Sequence, residues 1–154
     1  MAIETKDMRK VGLFENLVPG HCKLVQGIVE EVEFAASETI FSDGDAADSF
    51  YFIVKGKVRI SKMIPGIGEE ALAVLEPGGY FGEMALIDDG PRSADAIANS
   101  SVVAGRIRKE PFEDLLFMHK DLAYDLLWTL VRTLSGRVRE SNEKMRAFLA
   151  MSRF

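Results

Sequence analysis

The sequence predicts a mainly β fold with flanking helices (α+β). The expected architecture is an eight-stranded antiparallel β-roll of the jelly-roll kind, with N-terminal helices and a C-terminal short helix plus long helix. Three observations predict it. Between about Val29 and Arg108, apolar residues come in short runs separated by turn-forming residues, the spacing of sandwiches and rolls. On either side of that stretch they recur at helical spacing. The last helical segment carries two apolar stripes, more than packing on a single roll requires. The 154 residues are read as one domain: N-terminal helices over 1–28, the roll over 29–108, and C-terminal helices over 110–150.

Each element follows from its residues. Leu13, Phe14 and Leu17 precede a Pro19-Gly20 break, and Pro19 suits the first position of a helix, where a missing N–H costs nothing. Cys22, Leu24, Val25 and Ile28 then recur at helical spacing, with Cys22 expected to be a small half-buried helix residue. Glu31-Val32-Glu33-Phe34 alternates as a strand does. Thr39-Ile40-Phe41 is a short β run closed by Ser42-Asp43-Gly44-Asp45. Phe50 to Val54 is a continuous apolar strand. Lys55-Gly56-Lys57 reads as a tight turn, with Val58 and Ile60 as the hairpin partner. Pro65 to Gly68 is a loop, and Ala71 to Leu75 is a strand ended by Glu76-Pro77-Gly78-Gly79. Ala94 to Ala98 and Val102 to Ile107 complete the set. Lys55, Lys57, Arg59 and Lys62 fall at strand spacing and read as a solvated face. Pro111 is expected at a first helical position, with Phe112, Leu115 and Leu116 as one apolar face. His119-Lys120-Asp121 separates that helix from one running to about Phe148.

Composition removes several function classes. Hydrophobic residues are 47% and charged residues 28%, with a net charge of −5, so no general attraction to nucleic acid or to an anionic membrane is expected. No apolar run approaches the roughly 18–20 residues of a membrane span. Met1 to Lys10 is polar, unlike a signal peptide, and a cytoplasmic protein is expected. Cys22 is the only cysteine, which excludes an intrachain disulfide and a thiolate metal cluster. A cupin-like metalloenzyme on a similar roll is the rival from another class. It needs several histidines and a carboxylate inside the barrel, whereas this chain has only His21 and His119, both in helical segments. Asp43/Asp45 and Asp88/Asp89 sit in turns, where aspartate is favoured for backbone reasons. No metal, no cofactor and no catalytic residue are expected.

The informative segment is Phe81-Gly82-Glu83-Met84-Ala85-Leu86-Ile87-Asp88-Asp89-Gly90-Pro91-Arg92-Ser93-Ala94. A strand ends at Phe81, and Gly82 permits a sharp turn and close backbone approach. Glu83 to Leu86 have room for about one helical turn before the Asp-Asp-Gly-Pro break. The leading N–H groups of such a turn are unpaired and suit an anion. Arg92 emerges where it can face the same spot, with a planar fork that matches phosphate oxygens. Glu83 wants donors, and a ribose hydroxyl next to a phosphate is one. Plainer readings stand beside this: Glu83 complementing the helix macrodipole, and Arg92 pairing with Asp88, Asp89 or Asp95 on the surface.

These residues resemble the phosphate-binding cassette of cyclic-nucleotide-binding domains. The match runs through Phe81-Gly82-Glu83, Ala85-Leu86, Pro91-Arg92 and Ala94. It extends upstream to Gly44-Asp45, Asp48 and Tyr51 to Val58. The resemblance covers about residues 11–148. It implies a cyclic nucleotide as ligand, cAMP before cGMP, held by Gly82, Glu83, Met84, Ala85, Leu86, Arg92, Ser93 and Ala94. Glu83 would accept from the ribose 2′-hydroxyl and Arg92 would pair with the cyclic phosphate. Backbone amides of Ala85, Leu86 and Ser93 would complete the cradle. It also implies a purine contact from a polar pair on the long helix, here Ser141-Asn142; a solvated helix end is the alternative.

On that helix Leu127, Val131, Leu134, Val138, Ser141, Met145 and Phe148 are spaced 4, 3, 4, 3, 4, 3, an unbroken heptad seam. Leu122, Leu126 and Leu130 form a second stripe suited to the roll. A parallel homodimer through the seam is expected, with Gly136 marking a bend or a close approach. The downstream effector protein is not legible. The bacterial activators that carry this domain continue into a winged helix-turn-helix, and no recognition helix is read before Phe154. The chain is therefore expected to be a sensor domain, with a fragment of a cAMP-responsive transcription regulator as the alternative.

Overall fold

The computed structural model describes residues 3–153. Among them, eight strands form two four-stranded antiparallel sheets. They are β1 (Val29–Phe34), β2 (Thr39–Phe41), β3 (Ser49–Lys55), β4 (Val58–Ile64), β5 (Gly68–Leu75), β6 (Tyr80–Phe81), β7 (Asp95–Ala98) and β8 (Val102–Arg108). One sheet has the order β1-β8-β3-β6 and the other β2-β7-β4-β5. The helices are α1 (Thr5–Met8), α2 (Pro19–Gln26), α3 (Glu83–Asp88), α4 (Lys109–Met118) and α5 (Lys120–Met151). None is long and apolar enough to cross a membrane.

Strand β3 shows why a continuous apolar run forms here. Phe50 and Phe52 face a cluster built with the helices, among them Phe14, Val25, Ile107, Phe112, Leu122 and Leu126. Tyr51 and Ile53, on the opposite face, join Val58, Phe81, Ala96 and Ala104 between the two sheets. Both faces of the strand are therefore covered, as the absence of polar alternation requires. Full burial of such a side chain is worth about 1.5–3 kcal/mol, so this one strand anchors both cores.

The expected hairpin between β3 and β4 is not formed. β3 pairs with β6 and β8, and β4 pairs with β5 and β7. The turn at Gly56 crosses from one sheet to the other. It is stitched to the β7–β8 turn instead: Lys57 N–H donates to Ser100 Oγ at 3.0 Å, and Asn99 N–H to the Lys57 carbonyl at 2.8 Å. Gly56 has φ of 87°, and a Cβ there would meet the Ser101 carbonyl at 2.2 Å, so the crossing requires glycine.

Smaller differences also have causes. Residues 11–17 form hydrogen-bonded turns rather than a helix, with Phe14 N–H on the Val11 carbonyl and Leu17 N–H on the Phe14 carbonyl. Pro111 is the third residue of α4, still within the turn whose N–H groups lack helical partners. Cys22 is fully buried, not half-buried. The two stripes of α5 separate as expected. Leu122, Leu126 and Leu130 are buried on the roll, while Leu127, Val131, Val138, Met145 and Phe148 are exposed. Gly136 has open space around it within the protomer.

Candidate functional site

Strand β6 ends at Phe81, and Gly82 turns the chain into α3 with φ of 84°. No side chain caps that helix. A Cβ on Gly82 would stand 2.6 Å from Arg92 Nη1 and 3.3 Å from the Phe41 ring. Glycine is thus needed twice, for the left-handed backbone and for the approach of the guanidinium. After α3, Asp89 is left-handed at φ 57° and pairs with Lys109 at the start of α4. The backbone of Arg92 is clamped to the Gly44-Asp45 turn: Arg92 N–H donates to the Asp45 carbonyl and Gly44 N–H to the Arg92 carbonyl, both at 2.8 Å. This is what the Ser42–Asp45 turn does for the site.

The Arg92 side chain is buried, at 4% exposure. Its Nη1 donates to the Gly82 carbonyl at 2.9 Å and its Nη2 to the Ser49 carbonyl at 2.5 Å. The guanidinium lies over the Phe41 ring, 4.0 Å from its centroid, and Nε has no partner among the described residues. Burial pulls its pKa below the ordinary value, opposed by Tyr51, Asp48, Asp45 and Glu83. Arginine starts so far above neutrality that the group stays charged. The surface pairings weighed from sequence are not made. Asp88 accepts from Gly90 N–H, Asp89 pairs with Lys109, and Asp95 accepts from Asp43 N–H. A buried cation held by neutral carbonyls, with hydrogen-bonding capacity left over, has the chemistry to take an anion.

Glu83 is equally buried, at 4% exposure. Its Oε1 accepts from Arg137 Nη1 on α5 at 2.8 Å. Nearby, the Tyr80 hydroxyl donates to Thr133 Oγ1 at 3.1 Å. Two polar contacts therefore tie the cassette and the strand before it to α5.

Between the cassette and α5 lies a cleft of about 500 Å³. Of the residues expected from sequence, Gly82, Glu83, Met84, Ala85, Arg92, Ser93, Ala94 and Ser141 line it. Leu86 lines a separate apolar cavity behind α3, and Asn142 is absent from the cleft lining. The wall from α5 also presents Arg137, Glu140 and Lys144, and the roll adds Phe41, Ile60 and Leu72. Sequence reasoning missed these. For the helix residues a signal existed, because Arg137, Ser141 and Lys144 continue the Leu122, Leu126, Leu130 stripe at helical spacing. The cleft thus has a charged floor that suits a phosphate and a sugar, an apolar flank from β4 and β5, and a polar helix opposite. No group of three or more His, Cys, Asp or Glu placed to hold a metal is found among the described residues.

Residues 31–119 match the profile of the cyclic nucleotide-binding domain, the description of a binding domain and not of a catalytic one. The chain is similar to a CRP-like cAMP-activated global transcriptional regulator of Mycobacterium tuberculosis, with 26% identity over 90% of this chain and 60% of the relative. It is also similar to the cyclic AMP receptor protein of Thermus thermophilus, with 32% identity over 82% of this chain and 59% of the relative. The crystal structure of the Thermus thermophilus catabolite activator protein superposes with a TM-score of 0.79 at 29% identity, covering 89% of this chain and 62% of that one. This chain spans about 60% of the length of these two relatives.

Proposed function

This chain belongs to the cyclic nucleotide-binding domain family, and from that premise we propose that it senses cAMP, in preference to cGMP, in the cleft between the cassette and α5. The observation that carries this reading is the pair of buried opposite charges on the cleft floor, Arg92 with an unpaired Nε–H and Glu83 facing α5. The cyclic phosphate takes the remaining Arg92 donors and the backbone amides of Ala85, Leu86 and Ser93. The ribose 2′-hydroxyl donates to Glu83, whose second oxygen is not used by Arg137. The purine then lies against the apolar flank and meets Ser141 on the helix. The preference for cAMP rests on the two relatives whose names specify it.

The consequence of binding is a change in α5. Arg137–Glu83 and Tyr80–Thr133 already join this helix to the site, so a ligand on Glu83 acts on the helix directly. Its effect is limited to its differential affinity for the two arrangements. The exposed seam of α5 pairs with a second copy of the chain, and the signal passes to an effector protein in the cytoplasm. No chemistry is performed on the nucleotide. Calorimetric titration of the nucleotide-free protein with cAMP and cGMP tests the reading. Saturable one-to-one binding of cAMP is expected. Absence of binding by both nucleotides would sink it, and a tenfold preference for cGMP would reverse the choice of base.

A further inference from the structure

Behind α3, on the side away from the cleft, lies a second cavity of about 180 Å³. Its wall is made by Leu13, Phe50, Leu86, Phe112, Leu116 and Leu130, contributed by the N-terminal turns, β3, α3, α4 and α5. We propose that this cavity is a second binding site, for a small neutral aromatic molecule of one or two rings, and that its occupation weakens nucleotide binding.

The ligand class follows from size and charge. An apolar space of roughly 150 Å³ accommodates benzene; this one is of similar size and opens to solvent beside the exposed Ile87 and Leu127, so a ring of that size or a fused pair can enter it. The charged groups at its rim are already answered. Lys109 pairs with Asp89 and stands 4.0 Å from Glu113, and Glu83 is paired with Arg137. A charged ligand would meet no free counter-charge, whereas a neutral ring meets a lining that is mostly hydrocarbon.

The link to the cleft is also structural. Glu83 lines both spaces, and Leu86 and Ile87 of the same short helix line the cavity. A ring lodged there holds α3 as it stands without nucleotide, with Arg137 on one Glu83 oxygen, whereas a ribose on the other oxygen favours a placement of α3 closer to the cleft. Two ligands that favour different positions of one helix oppose each other, and by equal factors. This second step rests on the nucleotide reading given above; the cavity site itself does not.

The test uses benzene and indole as probes of the nucleotide-free protein, followed by methyl NMR. Saturable shifts at Leu13, Leu86, Leu116 and Leu130 are expected, and Leu116→Trp, which fills the space, should remove them. If that variant does not fold, Leu116→Phe serves in its place. Shifts spread over surface methyls, or shifts that persist in the filled variant, would overturn the site. Indole should lower the affinity for cAMP at least about fivefold, the small end of ordinary coupling between sites. An unchanged cAMP affinity with the cavity occupied would overturn the coupling. Failure of cAMP to bind with or without indole would count against the nucleotide reading alone, and the methyl shifts would still decide the cavity.

Discussion

Replacing Arg92 by alanine is the sharpest perturbation the structure offers. Of the five N–H donors of arginine, two are spent on the Gly82 and Ser49 carbonyls and Nε–H is buried, which leaves the second N–H of each terminal nitrogen for a phosphate. Removing one member of a desolvated charge pair typically costs about 2–5 kcal/mol of binding, or roughly 30-fold to several-thousand-fold in affinity. The same side chain also has a structural task. It joins α3 to the start of β3 and covers the Phe41 ring. Two carbonyls lose a partner, at about 1–3 kcal/mol for each group left unsatisfied, offset by release of the buried cation from its desolvation. A lower melting temperature is therefore expected as well. Arg92→Lys separates the effects, because it keeps the charge but cannot reach both carbonyls and a phosphate. It should bind between wild type and alanine. The assay is calorimetric titration with cAMP at a temperature where circular dichroism shows each variant folded. Near-wild-type affinity in a folded Arg92→Ala protein would refute the assignment of the phosphate to this residue.

Three further outcomes are expected. Glu83→Gln should cost less affinity than Arg92→Ala, and 2′-deoxy-cAMP should bind the wild type more weakly than cAMP; equal binding of the two nucleotides would remove the ribose role of Glu83. Leu134→Glu places like charges on both sides of the α5 seam and should yield folded monomers in sedimentation, while a wild type that is itself monomeric at high micromolar concentration would dispose of the seam. Glu30 is held below its ordinary pKa of 4.5 by hydrogen bonds from Arg108 and then Arg106. A depressed carboxyl contributes stability that is full above about pH 4.5 and is lost as pH falls through the folded value, so Glu30→Gln should flatten the fall of melting temperature in that acid range. A curve parallel to wild type would show that so exposed a contact contributes nothing.

The strands, the order of elements and the cassette were legible because they are local. Turn residues, apolar runs and the Gly82 to Ala94 segment carry their own instructions. What was not legible is contact across long stretches of chain. Nothing near Arg92 in sequence points to Ser49, 43 residues away, or to the Phe41 ring. Those neighbours exist because β3, β2 and β7 meet in the folded roll. The β3–β4 connection was misread for the same reason. A tight glycine turn between two apolar runs has the same local signature whether it closes a hairpin or crosses between sheets. Only the partner turn at Asn99–Ser101 decides, and it lies more than forty residues away.

The long helix shows how one periodicity can serve two surfaces, and it yields the last prediction. Residues advance about 100° around an α-helix. With Leu122 as origin, Leu126, Leu130, Thr133, Arg137 and Lys144 all fall within about 0–80°. This single line is apolar where it crosses the core and polar from Thr133 onward, where it reaches Tyr80 and then the cleft. The exposed seam, Leu127 to Met145, lies at about 100–180°. Ser141 falls at about 100°, on the boundary, which is why it can line the cleft and still belong to the heptad. Asn142 falls at about 200° and points away from its own cleft, in keeping with its absence from the lining. The two members of the expected polar pair therefore have separable roles. Ser141→Ala should reduce discrimination between cAMP and cGMP even in the monomeric Leu134→Glu background. Asn142→Ala should leave that discrimination unchanged there, since any nucleotide it touches must lie across the seam. Competition titrations of the four proteins decide it. Loss of discrimination on Asn142→Ala in the monomer would mean that this helix turns about its axis when ligand binds.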